Sequence, residues 1–309
     1  QERKGAAAVI GTFSVKIRAV YSFASGRASR APMPQELLPP IVMVFAASDP
    51  SGGAGLQADI MTLSSMGCHP LSVVTALTVQ DSAGVEDVLA IDADWVADQA
   101  RALLEDMSVS AFKVGMLGSV ENIAAIAEII SDYPDIPLIL DPVLSSGRGD
   151  ELASEDMIAA LRELLLPQTT LLTPNSIEAR RLALDESNEE DDPDLAECAR
   201  RLVGAGAEYV LITGTHEHTP QVVNSLYGEN GLIRADAWER LPGSYHGSGC
   251  TLASAIAANL ANGLELAEAV RDAQDYTWQA LENGFRPGMG QYLPDRFFWA
   301  REPEPGEDA

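Results

Sequence analysis

Residues 243–260 read Gly-Ser-Tyr-His-Gly-Ser-Gly-Cys-Thr-Leu-Ala-Ser-Ala-Ile-Ala-Ala-Asn-Leu. A loop broken by Gly243, Gly247 and Gly249 runs into small, apolar, helix-prone residues. A glycine loop entering a helix turns several backbone N–H groups toward one point and adds the positive end of the helix dipole. Such a place attracts anions such as phosphate. Cys250 falls on the first helical turn, where a thiolate is stabilised and can act as base or nucleophile. A free cysteine is equally at home there as a small buried residue. Gly247-Ser248-Gly249 lacks the Lys-Ser/Thr ending of a P-loop and the second glycine spacing of a dinucleotide fingerprint.

A second glycine-rich stretch, residues 48–59, reads Ser-Asp-Pro-Ser-Gly-Gly-Ala-Gly-Leu-Gln-Ala-Asp. It follows Ile41–Ala47, an apolar run that predicts a buried strand, and it precedes a helical pattern. Further strand-like runs fall near 70–79, 110–116, 136–141, 169–173 and 207–213. Helix-like segments lie near 55–66, 94–105, 119–131, 154–165, 176–184 and 193–204. This alternation predicts a parallel sheet covered on both faces. Segments 221–227 and 231–236 bracket Gly228-Glu229-Asn230-Gly231 as a hairpin, and helices near 249–262 and 264–283 close the domain. Ligands of open α/β sheets bind beyond the carboxyl ends of the strands. Asp49, Gln80, Met116, Asp141, Asn175 and Thr213-Gly214 all fall at such ends. An aspartate there is also often just the N-cap of the next helix.

The two glycine stretches come with Thr75-Ala76-Leu77-Thr78-Val79-Gln80, Lys113-Val114-Gly115-Met116-Leu117, Asp141-Pro142-Val143 and Leu172-Thr173-Pro174-Asn175-Ser176-Ile177-Glu178-Ala179. In this order and spacing, from about Val42 to about Leu293, they resemble the ribokinase-like superfamily. Within it the chain resembles the hydroxymethylpyrimidine/phosphomethylpyrimidine kinases of thiamine biosynthesis. The resemblance implies a three-layer α/β/α fold with a central, mostly parallel sheet and no lid domain. It implies phosphorylation of 4-amino-5-hydroxymethyl-2-methylpyrimidine and then of its monophosphate, with ATP as co-substrate and Mg2+. Gln80 matches the position that hydrogen-bonds the aminopyrimidine, and Asp59, Met116 and Val143 match positions lining the same pocket. Ala47 stands where the family has glycine, adding a methyl near that site. Asn175 and Glu178 match an element that organises magnesium through water and positions the ATP phosphates, with Asp141 close to the ion. Thr213 and Gly214 match a turn against the nucleotide phosphates.

Gly247, Ser248, Gly249 and Cys250 match the anion hole, with Cys250 where sugar-kinase relatives carry a catalytic aspartate. Phosphoryl transfer needs placement, charge stabilisation and a proton acceptor. The loop amides supply donors, and Cys250 is expected to take the hydroxyl proton, its pKa lowered by the helix terminus. Thr213-Gly214-Thr215-His216 replaces the family's Lys-Gly-Gly-His and so loses a positive charge. Lys113 either compensates or is a structural lysine at a strand start. His216-Glu217-His218 is expected in a strand, as a metal-like pair lacking a third ligand, and His69 in a turn.

The net charge of −26 argues against nucleic acid and anionic membrane as partners. Hydrophobic content of 46% with a mean hydropathy of +0.01 fits a globular chain, and no apolar run reaches the roughly 18 residues of a membrane helix. Cys68, Cys198 and Cys250 are too few and too scattered for a disulfide framework or zinc site, which points to the reducing cytoplasm. Residues 1–40 are expected to be an extension, disordered or foreign to the domain. Arg3, Lys4, Lys16, Arg18, Arg27 and Arg30 fall in the first 31 residues against one acidic residue, Glu2, while lysine recurs afterwards only at Lys113. Residues 41–299 then form one kinase domain and 300–309 an acidic tail, with the acidic run 185–194 a solvated loop. Family members without a lid are often dimers, which leaves a homodimer open. Pyridoxal kinase of the same fold and a non-catalytic pyrimidine-binding regulator are the competing readings. An NAD-dependent oxidoreductase fails on glycine spacing.

Overall fold

The computed structural model describes residues 38–146, 149–184 and 192–301. The fold is carried by the unit that begins at Pro39. The expected extension up to residue 37, the acidic stretch 185–191 and the tail from residue 302 lie outside the described residues.

Nine strands form one sheet: β1 Ile41–Ser48, β2 His69–Gln80, β3 Val85–Ala90, β4 Ala111–Val114, β5 Leu138–Leu140, β6 Leu171–Leu172, β7 Tyr209–Ile212, β8 Gln221–Gly228 and β9 Gly231–Glu239. Their order is β3-β2-β1-β4-β5-β6-β7-β8-β9. β2 through β7 pair in parallel across the centre, while β3, β8 and β9 add antiparallel edges. β1 is apolar along its length because both faces are covered. Met43 and Phe45 join one core with Val73, Phe112 and Ile126. Val42 and Val44 join the other with Leu63, Ile139 and Ile256, as a two-residue period requires. Because β2 lies on one side of β1 and β4 on the other, the strand order reverses there, and a crevice opens at the carboxyl end of β1.

The helices are α1 Gly55–Ser65, α2 Ala93–Asp106, α3 Val120–Ser131, α4 Glu155–Ala160, α5 Ser176–Ala183, α6 Leu195–Gly204, α7 Ser248–Ala261 and α8 Leu266–Glu282. Asp92, Ser119, Ser154, Asn175 and Asp194 cap α2 to α6 with side-chain oxygens. The two helices that follow glycine loops, α1 and α7, have no side-chain cap. Their first-turn amides are left for something else.

The structure departs from expectation at four places. β3 is a strand the sequence pattern does not predict, since Glu86 and Asp87 interrupt a short edge run. The segment expected as one helix over 154–165 is α4 followed by a π turn at Leu161–Leu165. His69 opens β2 instead of a turn, and His216–His218 lie in a turn instead of a strand. The hairpin around Glu229-Asn230 forms as expected, with Gly228 paired to Gly231.

Candidate active site

Asp49, the first residue after β1, shapes the first glycine loop. Its carboxylate accepts N–H groups from Ser51 at 2.8 Å and Ala54 at 2.7 Å, and His246 Nε2 lies 2.8 Å from it. Burial works to raise its pKa, but the His246 and loop hydrogen bonds prevail and hold it near 2. Asp49 therefore stays ionised and fixes the loop. Gly247, the N-cap of α7, has φ 82°. A Cβ there would stand 1.8 Å from Gly53 O, and a Cβ on Gly53 would stand 2.2 Å from His246 Cδ2. The two glycine loops thus meet backbone to backbone. The first intrahelical bond of α7 runs from Thr251 N to Gly247 O at 3.0 Å. The amides of Ser248, Gly249 and Cys250 come before it and have no intrahelical acceptor.

Beneath that turn lies a charged cluster. Lys113 Nζ is 3.0 Å from Asp59 Oδ1 and 3.9 Å from Asp141 Oδ2, with the lysine fully buried. Gly115 makes room for it, since a Cβ there would be 2.8 Å from Nζ. Ser254 Oγ, one turn along α7 from Cys250, donates to Asp59 Oδ1 at 2.7 Å. Burial would lower the Lys113 pKa, but Asp59, Cys250 and Asp141 raise it above its ordinary value, so the ammonium is permanent.

The Cys250 thiol and the Asp141 carboxylate shift one another's acidity, and Asp141 Oδ2 is buried without a hydrogen-bond partner of its own. The acidity of Cys250 is the reverse of the sequence expectation. Burial pushes the thiol up to about 12, with Asp141 and Asp59 adding to burial and Lys113 opposing it. Half a helix charge does not outweigh desolvation and two carboxylates. Cys250 is a neutral thiol. Burial also raises the Asp141 pKa, against Lys113, making it a stronger base than an ordinary carboxylate.

Asn175 and Glu178 form a capping box at the start of α5. Asn175 Oδ1 accepts from the amides of Ile177 and Glu178 at 2.9 Å, and Glu178 Oε2 accepts from Asn175 N at 3.0 Å. Burial and then Asp141 push Glu178 up to about 8. Thr213 N donates to Pro174 O at 2.9 Å and Ser176 N to Thr213 O at 3.1 Å, which joins the β7 end to the capping box. Gly214 packs on β8, where a Cβ would meet Val223 O at 2.3 Å. The guanidinium of Arg240 clamps the following turn through the carbonyls of Thr215, Glu217 and Thr219 at 2.8, 2.8 and 3.0 Å. This turn therefore keeps a fixed positive charge although the family lysine is absent.

Gln80 lines a small cleft with Asp81, Gly84, Val85, Ser146, His246 and Gln291. The other residues expected at the pyrimidine differ from it. Asp59 is fully buried with its oxygens engaged by Lys113 and Ser254, so it is not a pocket wall. Ala47 is 3% exposed, with its carbonyl beneath Gly55, and so presents no surface. Met116 and Val143 are half-buried at the ends of β4 and β5, the first accepting the Thr75 hydroxyl at 2.6 Å through its carbonyl. The sequence reading missed His246, Ser254 and Arg240, and it favoured a structural role for Lys113. Of these, His246 had a signal in its place beside Gly247.

The chain matches the phosphomethylpyrimidine kinase family model over residues 49–295. It belongs to that family. The hydroxymethylpyrimidine/phosphomethylpyrimidine kinase of Streptomyces coelicolor is 38% identical over 262 residues, covering 84% of this chain and 95% of the relative. The Escherichia coli enzyme of the same name is 36% identical over 239 residues, 77% of this chain and 90% of its own. Among solved structures, phosphomethylpyrimidine kinase from Clostridium difficile superposes with a TM-score of 0.67 at 32% identity, covering 79% of this chain and 99% of its own. An ADP complex of Bacillus subtilis pyridoxal kinase superposes with 0.73 at 29% identity, covering 85% and 100%. The chain is a ribokinase-like kinase.

Proposed function

We propose that the enzyme phosphorylates 4-amino-5-hydroxymethyl-2-methylpyrimidine and then its monophosphate, with ATP as donor. The observation that carries this reading is the meeting of the uncapped α7 N-terminus with Cys250, Asp141 and Lys113, beside the Gln80 cleft. Gln80 offers an amide matched to the donor–acceptor edge of an aminopyrimidine. Thr213, Gly214, Asn175 and the Arg240-clamped turn face the nucleotide. The amides of Ser248, Gly249 and Cys250 receive the negative charge of the transferred group. The hydroxyl proton passes to the Cys250 sulfur while the thiol proton passes to Asp141, so the neutral thiol relays a proton and the carboxylate holds it.

Burial raises the pKa of both Asp141 and Glu178, and Asp141 adds to the rise at Glu178, an arrangement that suits a cation beside them. Among the described residues no group of three or more His, Cys, Asp or Glu forms a ligand set. Asp141 and Glu178 would hold a magnesium ion through water, and the ion would supply positive charge against the phosphates. Leu77 and Leu89 face each other across β2 and β3 and are 46% and 65% exposed, an apolar face suited to a second copy in a homodimer. The net charge of −26 disfavours nucleic acid and anionic lipid. No helix among the described residues is long and apolar enough to cross a membrane. Three free thiols suit the cytoplasm, where we place the enzyme.

Product analysis with hydroxymethylpyrimidine, its monophosphate and pyridoxal, each with ATP and Mg2+, tests the reading. Diphosphate from both pyrimidines, with slower turnover of pyridoxal, is the expected result. Preferential turnover of pyridoxal would make this a pyridoxal kinase, and no ATP consumption would make it a regulator.

A further inference from the structure

Arg296 lies on the segment after α8, one residue beyond the stretch that matches the family. Its carbonyl is held from two helices. The Ser65 hydroxyl of α1 donates to it at 2.6 Å and the Tyr276 hydroxyl of α8 at 2.7 Å. From that anchor the side chain, 3% exposed, reaches between the two glycine loops. Nη2 donates to Gly53 O at 2.5 Å and Nη1 to Gly52 O at 3.4 Å. Nε donates to Thr251 Oγ1 at 3.1 Å, and the Thr251 hydroxyl donates in turn to Gly247 O at 2.8 Å. One guanidinium therefore holds two carbonyls of the first loop and, through one hydroxyl, the carbonyl at the N-cap of α7.

Those carbonyls sit at the tightest junction of the site. Gly53 O is what a Cβ on Gly247 would strike at 1.8 Å. Any slip of one loop against the other re-aims the first-turn amides of α7. Among the described residues no carboxylate lies within 4.0 Å of the guanidinium, so its donors go to neutral oxygens. Burying a cation without an ion-pair partner is costly, and a planar fork of fixed donors is what fixes several oxygens at once.

We propose that Arg296 is a positioning residue for phosphoryl transfer, fixing the two glycine loops in the register that aims the Ser248–Cys250 amides at the transferred group. The inference rests on reading those amides as the phosphoryl cradle. It predicts loss of turnover without loss of binding, because the nucleotide turn and the Gln80 cleft are built from other segments.

The test is steady-state kinetics and thermal melting of the full chain carrying Arg296→Gln, Arg296→Lys, Thr251→Val or Gly247→Ala. Arg296→Gln should lower kcat by up to about 10²-fold, with KM for ATP and for the pyrimidine within about threefold. Arg296→Lys should recover only part of that loss, since an ammonium cannot span the same oxygens. Thr251→Val leaves Arg296 on the first loop but cuts its link to Gly247, and should lower kcat by a smaller factor with its melting temperature kept. Should Arg296→Gln not fold, the Thr251→Val result decides. A kcat per folded molecule equal to wild type in Thr251→Val and in whichever Arg296 variants fold overturns the inference. If Gly247→Ala loses turnover while the others keep it, the cradle stands and Arg296 is only a staple. If Gly247→Ala also keeps it, the cradle reading itself falls.

Discussion

Lys113 Nζ stands 3.0 Å from Asp59 Oδ1, and both side chains are fully buried. Removing one partner of such a pair leaves an uncompensated charge, at a cost of about 3–5 kcal/mol. Lys113→Met should therefore lower the melting temperature sharply and abolish turnover. The double variant Lys113→Met with Asp59→Asn should regain stability and stay inactive, because Asp141 then lacks its counter-charge. Recovery of turnover in the double variant would show the pair to be structural alone.

Cys250, as a neutral thiol beside Asp141, should resist alkylation at neutral pH. Iodoacetamide labelling followed by mass spectrometry should show slow modification at pH 7, accelerating as the pH approaches about 12. Cys250→Ala should lower kcat by about 10²–10⁴-fold with little change in KM for ATP, since the backbone donors remain. Fast labelling at pH 7 would mean a thiolate, and the relay through Asp141 would have to be replaced by direct proton abstraction.

Gln80 borders the cleft with His246 and Ser146. Gln80→Leu should leave the polar edge of the pyrimidine unpaired, costing about 1–3 kcal/mol of binding. The KM for hydroxymethylpyrimidine should rise while that for ATP holds. A parallel rise in both would assign Gln80 to the fold.

Glu178 titrates near 8 in the folded chain against an ordinary 4.5. Below 4.5 the group is neutral in both states. As pH rises toward 8, the folded carboxyl keeps a proton that the unfolded chain gives up, so stability falls across that window and levels above it. Mg2+ near Glu178 and Asp141 should offset this decline, raising the melting temperature more at pH 8.5 than at pH 5.5. Glu178→Gln should flatten the pH slope and shrink the Mg2+ increment at high pH. An Mg2+ increment unchanged by that substitution would move the ion elsewhere.

Several parts of this site were readable from short stretches of chain. Asn175 and Glu178 are three residues apart, and a capping box is made within that span. Asp49 and Asp141 stand where an apolar strand ends, and Gly247 where a glycine loop meets a helix, places that period and residue type alone locate. The alternation of strands and helices likewise fixed the parallel sheet, because β1 must be apolar on both faces to be covered twice. β3 escaped because an edge strand is stabilised by pairing to β2, while its own Glu86 and Asp87 read as surface. The remainder depended on residues brought together from far along the chain. Lys113 was ambiguous until the fold set it against Asp59, 54 positions away. Cys250 was expected to be acidic from its helix turn, and burial beside Asp141 and Asp59 reversed the sign. Arg296 reaches Gly52 across 244 positions. Hydrogen bonds within one turn are written into neighbouring residue types. Desolvation and charge pairing depend on which distant groups share a dry interior, and only the tertiary structure decides that.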